Sequence, residues 1–250
     1  MIVDKSANLK KAGRSIAYGK FSNNGQTCIA PDYIYVHESI KDQLVAEITA
    51  AIQSQYGLGK DAANNGDYCR VVNAAHHSRI ARLLDDAKAK GATVLTGGET
   101  NKKTQFIAPT LIEGMSADSA IMEEEIFGPL LPIITFTEID QAIDYVNARP
   151  KPLALYIYST DKKLTDKVLQ ETSAGDTCVN QTVLHFVHPN LPFGGVNNSG
   201  IGKSGGVWGF NAFTHERSVL VDKFSSTHML HPPYTPGVSK MIKSMIKLLS

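Results

Sequence analysis

Cysteine is scarce in this sequence, and its spacing argues against the two structural uses that cysteine commonly has. The three cysteines, Cys28, Cys69 and Cys178, are odd in number and none belongs to a C-x-x-C pair. Such a count argues against a disulfide framework and against a structural zinc site. We therefore expect no bound metal and a reducing, cytoplasmic setting.

The sequence also lacks a charge excess and a long apolar run. Its 25 basic and 24 acidic residues give a formal net charge of +1, so no electrostatic pattern indicates a nucleic-acid partner. The N-terminus contains no signal-peptide stretch, and no run of about 18 apolar residues occurs anywhere. We expect neither nucleic acid as a partner nor a membrane span, and a small-molecule substrate fits such a surface at least as well.

Strand and helix patterns alternate along most of the chain. Apolar runs typical of strands occur at residues 33–36, 93–95, 131–136, 154–158 and 177–179. Between them apolar residues recur at helical spacing, and Ser6 and Ser39 are placed to cap two of the helices. Strands that alternate with helices form largely parallel sheets covered on both faces. The sequence therefore predicts an α/β fold with a largely parallel sheet.

The C-terminal residues follow a different pattern. A proline-rich stretch, residues 231–236, precedes a segment in which Met241 and Ile242 are interspersed with Lys243 and Lys247. We predict one domain over residues 1–223 and a tail over residues 224–250 that carries a short amphipathic helix. Such a helix could lie on a membrane surface, but packing on the body of the protein or on a second subunit is the simpler interpretation.

One of the three cysteines has a setting that suits a nucleophile. Residues 21–28 read FSNNGQTC, which places Cys28 just after a turn at Gly25. There the backbone N–H of Cys28 can face a bound carbonyl, as the stabilisation of an oxyanion requires. A lone cysteine is more often a small buried hydrophobe, and Cys69 and Cys178 keep that interpretation.

Two further segments combine charge or flexibility with a turn. Residues 123–129 read EEEIFGP and join three carboxylates to an apolar pair. Taken alone, this segment is typical of a solvated acidic helix end. Residues 191–200 form a glycine-dense loop whose backbone can approach a ligand closely.

A third glycine pattern, at residues 200–205, satisfies G-x-G-x-x-G but does not indicate a nucleotide site. The dinucleotide fingerprint needs a strand that runs directly into it and an acidic residue about 20 positions later, in its own βαβ unit. Asp222 stands at that offset, inside an apparent strand. The phosphate-binding P-loop needs a glycine at position 197, where Asn197 stands. We reject the NTPase interpretation and disfavour the dinucleotide one.

Taken in order, the three segments resemble those of the aldehyde dehydrogenase family. GQTC at residues 25–28 matches the family's cysteine motif, EEIFGP at 124–129 its acidic motif, and PFGG at 192–195 its late glycine loop. The neighbouring sequences CIAPDY and KPLALY are most similar to the class 3 branch, which includes enzymes for medium, long-chain and aromatic aldehydes. The resemblance extends from about residue 2 to residue 223.

The resemblance implies an oxidoreductase that converts aldehydes to carboxylic acids with NAD or NADP. Cys28 is implied as the nucleophile, through a thiohemiacetal and a thioester. Glu125 is implied to hold the nicotinamide ribose, and Phe127 to pack near the nicotinamide. Residues 181–188 are implied to border the substrate entrance. His185 and Phe186 are candidate contacts there, although a surface-loop role fits either equally well.

The family's assembly and architecture give further expectations. Members with this layout form dimers partly through C-terminal strands, so we expect a homodimer that uses residues 218–222. In the family the general-base glutamate, an oxyanion-binding asparagine and the main cofactor-binding region lie upstream of the position of Met1. We therefore expect a truncated chain that folds but does not turn over aldehydes alone.

Two other functions stay open at this point. The chain could be a redox-inactive structural or dimerising domain, with at most slow thiol esterase activity. It could also be an acyl-transferring relative that releases its thioester to coenzyme A.

Overall fold

The computed structural model describes residues 1–225 and 227–249 and forms an α/β architecture in that part of the chain. The strands are β1 (Ile2–Val3), β2 (Ile34–His37), β3 (Thr93–Thr96), β4 (Thr100–Asn101), β5 (Phe106–Ile107), β6 (Thr110–Glu113), β7 (Leu130–Phe136), β8 (Ala154–Tyr158) and β9 (Asp176–Val179). The helices are α1 (Leu9–Phe21), α2 (Lys41–Gln55), α3 (Lys60–Asn64), α4 (Ala74–Ala89), α5 (Ile139–Asn147), α6 (Lys162–Glu171), α7 (Gly206–Ala212) and α8 (Pro236–Leu249).

Seven of the strands form one sheet in the order β3-β6-β7-β2-β1-β8-β9. Every neighbouring pair is parallel except β3 and β6, which are antiparallel. β4 and β5 form a separate antiparallel pair. The predicted fold class, α/β with a largely parallel sheet, is confirmed.

Helices cover both faces of this sheet, because successive strand side chains point to opposite sides. In β8, Tyr156 and Tyr158 join the core that α1 and α2 cover, whereas Leu155 and Ile157 join the core under α5 and α6. On that second side, α4 covers its own core cluster around Leu83. Each central strand is therefore apolar on both faces, which explains its nearly continuous apolar run in the sequence.

Helix α1 fixes the position of the segment that follows it. Its apolar residues recur at helical spacing and are buried, among them Ile16 and Phe21. Gly13 permits close packing on α2, since a Cβ atom there would lie 2.8 Å from the carbonyl carbon of Glu47. The last turn of α1 leads directly to the residues that precede Cys28.

Three predicted local features are wrong. Asn8, rather than Ser6, caps α1, because its side chain accepts a hydrogen bond from the backbone N–H of Lys11. Ser39 lies in a 3-10 turn that precedes α2 and does not cap that helix. Asp222, which was predicted to lie inside a strand, belongs to residues 218–222, and these residues form neither helix nor strand and are exposed.

The chain divides into two compact units, Met1–Phe213 and Thr214–Ser250. The predicted boundary at residue 223 stays a prediction, and residues 226 and 250 of the predicted tail lie outside the described residues. The second unit contains the short C-terminal helix, α8, with lysines interspersed among apolar residues. Across residues 1–225 and 227–249, none of the helices combines the length and apolar character that a membrane crossing needs.

The parallel sheet also brings distant parts of the sequence together. Cys28 precedes β2, Glu125 precedes β7, Pro152 precedes β8 and Gly175 precedes β9. Parallel strands begin at the same edge of a sheet, so the segments that lead into them meet there. The candidate site is assembled at this amino-terminal edge.

Candidate active site

Cys28 lies in an exposed turn between α1 and β2. The residues Asn23, Asn24 and Gly25, which lie just before this turn, have left-handed φ angles of 51°, 59° and 72°. A Cβ atom on Gly25 would lie 2.4 Å from the carbonyl oxygen of Gly128. Glycine is therefore required at position 25, because the cysteine motif and the acidic motif touch there backbone to backbone.

Two side-chain amides attach the cysteine turn to residues 69–72. Asn24 Nδ2 donates to the carbonyl oxygen of Cys69 at 3.2 Å. Gln26 Nε2 donates to the carbonyl oxygen of Arg70 at 3.1 Å, and Gln26 Oε1 accepts from the backbone N–H of Val72 at 2.9 Å. These bonds fix the backbone on the N-terminal side of the exposed thiol. Their partners at residues 69–72 were not predicted from the cysteine motif.

A small cavity of about 110 Å³ lies beside Cys28. Its wall includes Tyr156, Pro152 and Leu153. Tyr156 is buried, and its hydroxyl donates to the carbonyl oxygen of Ile29 at 2.7 Å. Burial raises the pKa of this phenol, so it stays a neutral donor. The hydrogen bond holds the C-terminal side of the cysteine turn against β8.

Glu125 and Phe127 project from the segment that leads into β7. The Glu125 side chain is exposed, but desolvation of its carboxyl group and the nearby charge of Asp32 raise its pKa. Phe127 has a left-handed φ of 44° and an exposed ring. An aromatic residue adopts this conformation only where its surroundings enforce it. An exposed carboxylate can accept hydrogen bonds from hydroxyl groups, and an exposed ring can pack on a planar group.

This segment is held by hydrogen bonds to its backbone. The guanidinium of Arg79, on α4, donates to the carbonyl oxygen of Glu125 at 3.0 Å and to that of Ile126 at 2.6 Å. The Asp32 carboxylate accepts from the backbone N–H of Ile126 at 3.2 Å. Asp32 lies four residues after Cys28, so it also connects the acidic motif to the cysteine turn.

A buried lysine lies below these two motifs, and the sequence analysis did not identify it. Lys20 is completely buried, and its Nζ has no hydrogen-bond partner in the described part of the chain. Burial lowers the pKa of Lys20 to about 8, against the opposing effect of the Asp32 and Glu125 charges. Burial likewise raises the pKa of Asp32, against the effect of Lys20. The signal was available, since Lys20 follows Ile16 by four residues on the buried face of α1.

Aromatic rings extend from the cysteine cavity through the two predicted entrance residues. His185 lies between Tyr156 and Phe193, with ring centroids 5.8 Å and 5.9 Å away. Phe186, 52% exposed, lies 6.1 Å from Phe193. We call these four side chains the ring row. Both ring nitrogens of His185 are buried without a hydrogen-bond partner among the described residues, and burial lowers its pKa.

The glycine-dense loop is bonded to the G-x-G-x-x-G pattern that follows it, beside the ring row. Phe193 and Ser204 exchange two backbone hydrogen bonds of 2.9 and 2.7 Å. No named strand runs into residues 200–205, and Asp222 lies in no strand of the described chain. The setting that a dinucleotide fingerprint needs is therefore missing at this G-x-G-x-x-G pattern.

The other two cysteines lie apart from this cavity wall. Cys69 is exposed, and Cys178 is partly buried, which raises the pKa of its thiol. Across the described chain, no group of three or more histidine, cysteine, aspartate or glutamate side chains is arranged to hold a metal ion.

Comparison with known proteins identifies relatives along nearly the whole chain. Residues 1–219 match the aldehyde dehydrogenase family. The chain is 41% identical over 239 residues to the dimeric NADP-preferring aldehyde dehydrogenase of Rattus norvegicus, which covers 96% of this chain and 51% of that protein. It is 42% identical over 235 residues to aldehyde dehydrogenase family 3 member A2 of Rattus norvegicus, covering 94% of this chain and 47% of that protein.

The fold has a matching relative among solved structures. The substrate-bound state of Staphylococcus aureus AldH is similar with a TM-score of 0.87 and 41% identity, over 98% of this chain and 52% of that chain. The chain thus spans about half the length of the relatives it matches. The similarity to family 3 proteins confirms the predicted resemblance to the class 3 branch. With the family match extending over residues 1–219, this chain belongs to the aldehyde dehydrogenase family.

Proposed function

We propose that this chain is the catalytic portion of an NAD(P)-dependent aldehyde dehydrogenase and that Cys28 is its nucleophile. The observation that carries the proposal is the contact of two motifs. The turn of the exposed Cys28 thiol meets the Glu125–Gly128 segment at Gly25, where no side chain would fit. A nucleophile and a candidate cofactor contact are thereby held on adjoining backbone.

The proposed chemistry begins with the Cys28 thiolate. Its sulfur adds to the aldehyde carbonyl carbon, the C–S bond forms, and the carbonyl electrons move to oxygen. When the oxyanion collapses, the carbonyl re-forms and the hydrogen leaves the carbon as hydride. NAD or NADP would supply the acceptor for this hydride when bound. The resulting thioester on Cys28 is hydrolysed by water, which yields the carboxylic acid and the free thiol.

The roles of Glu125 and Phe127 are proposed from their exposure and their fixed backbone. The Glu125 carboxylate would accept hydrogen bonds from the nicotinamide ribose, and the Phe127 ring would pack near the nicotinamide. Arg79 and Asp32 support this assignment, because they hold the backbone that carries both side chains. The rat relative named NADP-preferring supports NADP as well as NAD as a candidate cofactor.

We place the substrate entrance along the ring row. His185 and Phe186 belong to a series of side chains that leads from the buried Tyr156 to an exposed ring. Aromatic walls bind apolar tails through a large contact area. This supports medium, long-chain or aromatic aldehydes as substrates.

We also propose a homodimer and a cytoplasmic location. The rat relative is named dimeric, and Val219, Leu220 and Val221 are exposed in the second unit, where a second subunit could cover them. The cytoplasmic location rests on the cysteine usage alone. We further propose that these 250 residues do not oxidise aldehydes unaided, because the family's general base and main cofactor-binding region lie in the half of the relatives that they do not match.

Selective labelling tests the assignment of the nucleophile. Cys28 and Cys69 are both exposed, so exposure alone would make them react equally with iodoacetamide. We expect Cys28 to be labelled several times faster than Cys69, as measured by mass spectrometry of peptides after brief labelling. Cys178 is expected to react last, because burial raises its pKa. Equal or faster labelling of Cys69 would contradict the proposal.

A turnover assay tests the remaining part of the proposal. The chain and a Cys28→Ser control are incubated with hexanal or benzaldehyde and with NAD or NADP. We expect no reduced cofactor above the control. Sustained turnover that Cys28→Ser abolishes would show that the 250 residues contain all the groups needed for oxidation.

A further inference from the structure

Lys203 belongs to the G-x-G-x-x-G pattern at residues 200–205, and it binds the backbone where Gly194 crosses Gly175, a contact that we call the crossing. Its Nζ donates to the carbonyl oxygen of Gly175 at 2.8 Å and to that of Gly194 at 2.5 Å. The same ammonium lies 3.6 Å from a carboxylate oxygen of Asp176. The other oxygen of that carboxylate accepts from the backbone N–H of Gly194 at 3.1 Å. Lys203 and Asp176 therefore form one charged pair that attaches Gly194 to the start of β9.

The crossing leaves no room for side chains. A Cβ atom on Gly175 would lie 2.5 Å from the carbonyl oxygen of Gly194, and one on Gly194 would lie 2.3 Å from that of Gly202. The carbonyl oxygens of Gly175 and Gly194 both accept from the Lys203 ammonium, and this positive charge offsets the repulsion between their dipoles.

This crossing is continuous with the wall of the Cys28 cavity. The backbone N–H groups of Gly175 and Asp176 donate to the carbonyl oxygens of Pro152 and Leu153, each at 2.9 Å. Pro152 and Leu153 line the cavity beside Cys28. A displacement at Gly175 would therefore reach the cavity wall through two hydrogen bonds.

The same crossing adjoins Phe193, one of the inner members of the ring row. Phe193 directly precedes Gly194 and is bonded by its own backbone to Ser204, the residue after Lys203. Its ring contacts those of His185 and Phe186. The Lys203 ammonium thus binds the carbonyl oxygen of the residue that directly follows Phe193.

Lys203 is not available to bind a phosphate in its present position, although it belongs to a G-x-G-x-x-G pattern. An ammonium has three N–H donors. Two of them are bonded to carbonyl oxygens and the third side faces the Asp176 carboxylate. A positioning role explains all three contacts.

We propose that Lys203 is a positioning residue that sets the ring row, which begins at Tyr156 in the wall of the Cys28 cavity, and thereby sets the preference of the site for aromatic tails. The proposal rests on Cys28 as the reactive thiol.

The test uses this chain with the Cys69→Ser substitution, so that alkylation reports on Cys28. The rate constants for Cys28 with iodoacetamide and with N-benzyl iodoacetamide are measured by peptide mass spectrometry, and their ratio gives the preference for an aromatic tail. Lys203→Gln removes the charge, Lys203→Arg keeps it, and Lys163→Gln is the matched control. Lys163 is an exposed lysine of α6.

We expect Lys203→Gln to lower the ratio by about three- to tenfold, the loss of roughly one aromatic contact. The rate with iodoacetamide itself should change less than about twofold, since that reagent has no ring to contact the row. Lys203→Arg should retain most of the preference, and Lys163→Gln all of it. NMR titration should show the lowered pKa of His185 moving in Lys203→Gln towards the ordinary value of about 6.5 as its ring becomes solvated.

An unchanged ratio in a folded Lys203→Gln variant overturns the proposal, even if its stability falls, because Lys203 would then only stabilise the fold. If that variant does not fold, Asp176→Asn is evaluated by the same criterion, since it removes the charge of the partner but keeps an acceptor for Gly194. Failure of the proposed function gives a different result. In that case Cys28 of the unsubstituted chain would react no faster than Cys69.

Discussion

The buried Lys20 leads to a prediction about how stability depends on pH. Its side chain is completely buried below the cysteine turn, without a hydrogen-bond partner in the described part of the chain. Burial disfavours the ammonium and lowers its pKa to about 8. In the unfolded chain the pKa of a lysine is about 10.4. Between these two values the unfolded state binds more protons than the folded state, so the free energy of unfolding rises with pH.

The size of this rise follows from the two pKa values. Each pH unit between them contributes up to about 1.4 kcal/mol, so the contribution of Lys20 from about pH 7.5 to pH 9.5 is roughly 2 kcal/mol. Buried tyrosines contribute in the opposite direction at higher pH. Burial raises the pKa of Tyr33 to about 12, and stability is lost once the unfolded-state tyrosine, with a pKa of about 10, begins to ionise. Both the unsubstituted chain and a Lys20→Met variant contain the same tyrosines. The difference between their free energies of unfolding therefore no longer contains the tyrosine contribution.

The assay is urea unfolding followed by circular dichroism at several pH values between about 7.5 and 9.5. Over this range we expect the free energy of unfolding of the unsubstituted chain to rise by roughly 2 kcal/mol relative to Lys20→Met. Lys11→Met is the control, because Lys11 lies on the same helix and is exposed. Parallel curves for the unsubstituted chain and Lys20→Met would refute the reasoning, since the lysine would then be as protonated in the fold as in the unfolded chain.

Two further predictions concern the acidic motif. Arg79→Ala should lower the free energy of unfolding by about 2–3 kcal/mol, because a charged group that donates to two backbone carbonyls is lost. Arg82→Ala, three residues along α4, should cost at most about 1 kcal/mol, because it removes only a partly exposed ion pair with Glu124; equal losses in urea unfolding would contradict this. In a chimaera that joins the upstream half of a relative to this chain, Glu125→Gln should slow formation of reduced cofactor and leave the labelling of Cys28 unchanged. An unchanged rate of cofactor reduction would indicate that Glu125 is only a solvated acidic residue.

The central strands were predictable because each is buried on both faces. The apolar run at residues 154–158 matches β8 in full, and the run at 131–136 matches β7 except for its first residue. The antiparallel pairing of β3 with β6 was not predicted, since an edge pair has the same local pattern in either direction. The caps of α1 and α2 were also mispredicted, because the residue type alone does not decide which group a serine bonds. Ser6 has the right residue type for a cap, but its hydroxyl is bonded to Asp4.

The sequence predicts candidate site residues only where a motif contains them. Cys28, Glu125 and Phe127 stand in segments whose residue order is distinctive. Lys20 and Arg79 are not part of any such segment, and their importance comes from burial and from hydrogen bonds to residues far along the chain. Long-range partners of this kind depend on tertiary structure, which the sequence of one chain does not specify residue by residue.

The two edges of the sheet differ in a way that bears on function. In open α/β sheets, ligands usually bind beyond the carboxyl ends of the strands. Here that end carries a closed polar network. Ser6 donates to Asp4 at 2.6 Å, and Asn180 exchanges two hydrogen bonds with the backbone of Ser159. The hydrogen bonds from Ser6 and Ser159 outweigh burial and lower the pKa of Asp4, which keeps it ionised. The Asp4 carboxylate is thus hydrogen-bonded at the carboxyl end, whereas the amino end carries the exposed Cys28 thiol and the Lys20 ammonium, which has no hydrogen-bond partner among the described residues. The general rule for α/β sheets would predict a site at the carboxyl edge, whereas the motifs predict one at the amino edge.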